Sequence, residues 1–152
     1  MLAAVATVLP LSLFYRSLLI LASSYLAFSF GGIAFAYLIA LFMPLIGIIV
    51  DSNTWLILSP VILSANLLAM LGLDYGWRYG ALLLSPLLYA IPVIFVSRIA
   101  QHRLFNLDLS WTPSLNLWLI AHVLVTVIGT VIALWVDRIN KLPRTAKPKT
   151  TA

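Results

Sequence analysis

The side chains able to do chemistry are few enough to take one at a time. Four residues are acidic, Asp51, Asp74, Asp108 and Asp137, and each stands at the edge of an apolar run. There are two histidines, His102 and His122, and no cysteine. The pattern lacks paired mid-run carboxylates for acid–base work, a cluster of metal ligands, a thiol nucleophile and a glycine-rich phosphate loop after a strand. A serine–histidine pair such as Ser85 with His122 can be drawn on paper, but any serine-rich bundle offers such pairs. No catalytic residue is assigned, and enzymatic readings rank last.

What remains is a set of polar groups inside stretches that read as hydrocarbon-soluble. Arg16 falls near the middle of the first apolar run if that run covers residues 4–27. A charge there costs about 2.5–3.5 kcal/mol on insertion scales. Arg16 is therefore expected to meet an anionic substrate, a lipid headgroup or a partner's carboxylate, or else to snorkel to an interface beside Tyr15. His122, Thr126, Gly129, Thr130 and Ala133 recur at i, i+4, i+7, i+8 and i+11, one face of a helix. Small and hydroxyl-bearing residues let a second helix approach and bond across the contact, so this face is expected to meet protein. His122 reads first as a packed, hydrogen-bonded histidine, with proton relay or haem ligation as alternatives. Haem is disfavoured, because the only other histidine, His102, sits at the membrane edge about 10 Å away along the axis. No cofactor and no metal is expected.

Gly32, Ala36 and Ala40 repeat every four residues, a helix-packing spacing with little chemistry in it. Pro44, Pro60, Pro86 and Pro92 interrupt the apolar runs, and Ser59 and Ser85 precede two of them. Interrupted helices can line a cavity, and Asn66, Ser64, Ser85 and Tyr89 would face it; ordinary packing is the alternative.

These groups need elements to hold them, and composition dictates which. The chain is 63% hydrophobic and 9% charged, with a mean hydropathy of +1.11, where a soluble domain carries about a quarter charged residues. Most of the outside must face lipid. The fold class is all-α, a polytopic membrane helix bundle with about five transmembrane helices and a range of four to six, since a spanning helix needs about 20 apolar residues. No alternating barrel-strand pattern occurs. The spans are read at about 4–27, 31–50, 55–73, 81–97 and 115–136 within a bundle of residues 1–140, and 141–152 reads as a basic, disordered tail. The best break in the first fifty residues is Ser29 to Gly32. Alternatively, Met1 to Tyr15 is a re-entrant or interfacial helix and a long tilted helix starts at Ser17.

The net charge of +5 is not a nucleic-acid signature. Five of the nine basic residues, Arg138, Lys141, Arg144, Lys147 and Lys149, follow the last apolar run. There they anchor a span end, and Arg138, Lys141 and Arg144 are expected to touch lipid headgroups. The tail is then cytoplasmic and the protein sits in the plasma (inner) membrane. Five spans put the 98–114 loop outside, where Arg98 and Arg103 run against the positive-inside rule.

The leading expectation is a small, non-catalytic integral membrane subunit that scaffolds or regulates a larger membrane complex, with Arg16, His122, Thr126, Thr130, Asn66 and Tyr89 as contacts. The alternative is a membrane-embedded binding or transport component for a small, largely apolar solute. A haem-carrying or enzymatic anchor comes third. Expected partners are other integral membrane proteins, lipids and further copies of the chain. In size, helix number and basic C-terminal tail, the chain looks like the rod-shape-determining MreD subunit and the substrate-binding components of energy-coupling-factor transporters. The span ending Gly47-Ile48-Ile49-Val50-Asp51-Ser52 is loosely similar to a glycine-containing, Asp-closed span of MreD-like proteins. That likeness covers a handful of residues and carries no functional position with it.

Overall fold

The structure is a computed structural model that describes residues 11–50, 52–76, 80–101 and 114–141. Asp51, Asp108, His102, Arg103 and Arg144, the start of the 4–27 span and the tail beyond residue 141 lie outside the described residues. Within them the chain is all-helical, in five helices: α1 Leu13–Gly31, α2 Ile33–Val50, α3 Ser52–Tyr75, α4 Ala81–Gln101 and α5 Leu115–Lys141. Four stretches are long and apolar enough to cross a membrane: Leu13–Gly31, Leu58–Tyr75, Ala81–Ile99 and Leu115–Asn140. The apolar part of α2, Ile33–Gly47, is shorter.

A single residue separates α1 from α2. Gly32 has φ 87° and ψ 176°, a region open in practice only to glycine, while its N–H still bonds the Phe28 carbonyl at 3.1 Å. The chain therefore reverses in one step and α2 runs back along α1. This corrects the packing role expected of Gly32: it is exposed, a Cβ there would meet nothing within 4 Å, and its contribution is backbone geometry. Ala36 and Ala40, from the same spacing, are fully buried.

Short connections make α1/α2, α2/α3 and α3/α4 antiparallel hairpins. α5 runs parallel to α1, because Ser17 meets His122 while Tyr25, eight residues on, meets Gly129, seven residues on. α1 packs on α2, α5 and α3, and its contact with α5 closes the ring. Two glycines set how closely helices approach. A Cβ on Gly72 would lie 2.7 Å from the Ser85 Cα, and one on Gly129 would enter the Tyr25 ring. Pro44, Pro60, Pro86 and Pro92 all sit within helices.

The core holds Ile20, Leu21, Ile62, Met70, Leu73, Val93 and Trp118. Buried with them are Arg16, Ser17, Ser24, Ser59, Asn66, Ser85, His122, Thr126 and Thr130. The outer wall is Phe30, Phe35, Phe42, Leu83, Leu87, Phe95, Ile120, Leu124 and Trp135. Polar groups inside and large apolar groups outside suit hydrocarbon as the surrounding solvent.

Candidate functional site

Hydrogen-bonding side chains within the spans come together along the seam where α1, α4 and α5 meet. At one end of the seam, His122 Nδ1 lies 2.8 Å from the Trp118 carbonyl oxygen, and Nε2 lies 2.9 Å from Ser17 Oγ. A carbonyl only accepts, so Nδ1 carries a proton, while the single Ser17 hydroxyl proton has two acceptors in reach, the Phe14 carbonyl and His122 Nε2. The imidazole is stacked on Trp118 (centroids 4.8 Å apart, planes 7° apart) and on Tyr89 (5.3 Å, 12°), with Phe14 edge-on. Hydrocarbon makes an isolated histidine costly; two bonds and three rings satisfy it here. With both nitrogens engaged, haem ligation would require breaking one of these bonds. The serine that meets His122 is Ser17, and Ser85 is committed elsewhere. Ser17 Oγ also lies 2.8 Å from the Phe14 carbonyl.

Toward the other end of the seam, the Tyr25 hydroxyl bonds Ser85 Oγ, and Ser85 Oγ reaches the Ala69 carbonyl at 2.8 Å. Thr130, beside Tyr25, donates to the Thr126 carbonyl at 2.7 Å, and Thr126 donates to the Val123 carbonyl at 2.7 Å. This links α1, α3, α4 and α5 at one level. The stripe on α5 does face protein, and that protein is this chain's own α1 and α4. His122, Thr126, Thr130, Asn66 and Tyr89 are fully buried and Arg16 nearly so. In this chain they lie inside the bundle and off its outer wall. Arg16 belongs to the first turn of α1, not to its middle. The described aspartates Asp74 and Asp137 belong to the opposite end, about 22 Å away by helix rise.

Asn66 differs from the bonded members of this group. It is fully buried on α3, and neither its amide nitrogen nor its oxygen meets a hydrogen-bond partner among the described residues. Nothing in its spacing singled out that condition.

Two cavities lie along the α1–α5 seam. The first, about 210 Å³, is an almost wholly apolar groove opening on the lipid-facing side. Ala22, Tyr25 and Leu26 of α1 form one wall, Val125, Ile128 and Ile132 of α5 the other, and Gly129 the floor. One turn further toward the C-terminal end of α5 lies a notch of about 380 Å³. Phe28, Ser29 and Ile33 line it on one side, Ala133, Asp137 and Asn140 of α5 on the other, and Asp74 joins from the end of α3. The Tyr37 side chain interacts with Asp74. Sequence spacing pointed to Gly129 as a close-approach residue; it could not show that α5 would pack beside α1, which is what creates groove and notch. Arg138 is exposed beside Asp137 in sequence, and Lys141 ends α5. No family model matches the chain, and no curated protein or solved structure matches it.

Proposed function

We propose that this chain is a non-catalytic integral membrane component that binds a membrane-dissolved amphiphile in the groove between α1 and α5. The observation that carries the reading is the groove itself. Its walls are apolar, it opens toward lipid, and at about 210 Å³ it exceeds the ~150 Å³ cavity known to take a benzene ring. Most of the seam's polar side chains are spent on backbone carbonyls or on one another, which favours a passive binding role over chemistry. The basic residues Arg138, Lys141 and Arg144 favour a cytoplasmic C-terminus in a plasma (inner) membrane.

The accessory-subunit reading comes second. It is favoured by α4, which packs on α3 and α5 and turns Leu83, Leu87 and Phe95 outward. Such a subunit would leave mild detergent together with a second membrane protein.

The groove is tested by filling it from the lipid side. Native mass spectrometry of the purified protein is expected to show retained phospholipid, and Ala22→Trp is expected to strip it without lowering thermal stability. Equal retention in the variant would rule the groove out as a binding site.

A further inference from the structure

The polar notch gives the groove a chemical preference at one end. Asp74 and Asp137 supply carboxylates, and Ser29 and Asn140 supply neutral hydrogen-bonding groups, at the membrane-edge end of the seam. The apolar groove begins one turn away on the same two helices, with Ile132 next to Ala133 on α5. A ligand filling both needs a hydrocarbon part and a head that carries positive charge and donates hydrogen bonds. A bare divalent cation fits poorly, because calcium takes six to eight oxygens and near-octahedral magnesium also needs several. No group of three or more His, Cys, Asp or Glu side chains stands together among the described residues.

We propose that the seam is a binding site for a phospholipid with a primary amine in its headgroup, the phosphatidylethanolamine type. The acyl chain lies in the groove and the ammonium sits between Asp74 and Asp137. A primary ammonium donates to carboxylates, and a trimethylated choline head of similar charge cannot. Hydrogen bonds to charged groups are the strong ones, and losing one such donor corresponds to about a tenfold change in affinity. The inference rests on the groove reading above, and the experiment separates the two.

The protein is reconstituted with phosphatidylcholine and phosphatidylethanolamine in equal amounts, and retained lipid is counted by native mass spectrometry. Wild type is expected to keep the ethanolamine lipid about tenfold over the choline lipid. The Asp74→Asn/Asp137→Asn double variant is expected to retain lipid without that preference. Equal retention of both lipids by wild type overturns the headgroup assignment, as does a preference that survives in the double variant; the groove reading stands in both cases if Ala22→Trp still strips lipid. If Ala22→Trp changes nothing, the groove reading itself has failed. The basic tail is the rival occupant. Removing residues 142–152 is expected to leave the preference unchanged, and a preference that appears only after its removal assigns the notch to the tail instead.

Discussion

At the scale of single residues, the contact between Ser17 and His122 is the clearest long-range bond in the molecule. It joins positions 105 apart in the chain and ties α1 to α5. Interhelical hydrogen bonds in membranes are worth less than intuition suggests, averaging about 0.6 kcal/mol and reaching about 1.7 kcal/mol. A double-mutant cycle of Ser17→Ala and His122→Phe, read by unfolding in detergent, is expected to give a coupling within that range. A coupling indistinguishable from zero would mean that the Trp118 carbonyl and ring stacking hold His122 without Ser17. Asn66 makes the opposite prediction. An amide buried without partners costs about 1–3 kcal/mol, so Asn66→Leu, similar in size and shape, is expected to raise stability by that order. Loss of stability in the same assay would show that the amide is bonded in the folded protein.

At the scale of elements, the helices were largely readable from apolar length and charge placement, and their junctions only in part. The break at Ser29 to Gly32 was visible as a glycine pair, yet the spacing of Gly32 with Ala36 and Ala40 suggested packing. Spacing reports which residues share a face and not which φ a residue adopts, so the turn-forming role of Gly32 was hidden. Gly32→Ala is expected to cost about 1–3 kcal/mol from backbone strain alone; an unchanged unfolding midpoint would contradict the geometry of the turn. Gly129 differs in mechanism. Its Cβ would enter the Tyr25 ring, so Gly129→Ala is expected to push α1 from α5 and cost about 1–3 kcal/mol as overpacking. Pairing it with Tyr25→Leu, which withdraws the ring, is expected to recover part of that loss, a result strain at Gly129 itself would not give.

At the scale of the whole molecule, the chain places its polar side chains inward and its largest apolar ones outward. The composition announced that arrangement, since four acidic residues and nine basic ones cannot coat a soluble surface of this size. It did not announce which helices would be neighbours. The polar stripe on α5 was legible as a protein-facing surface, but only the packing of α5 against α1 and α4 shows that the protein it faces is its own chain. The same packing brings Asp74 of α3 and Asp137 of α5, 63 positions apart, to one notch.

The most direct test of the account uses a phospholipid carrying a photoreactive group in its acyl chain, reconstituted with the protein and activated by light. Labelling is expected to concentrate on peptides containing Ala22 to Leu26 and Val125 to Ile132, the walls of the groove. Label spread evenly around the outer wall, or gathered on Leu83 and Leu87 of α4, would contradict it.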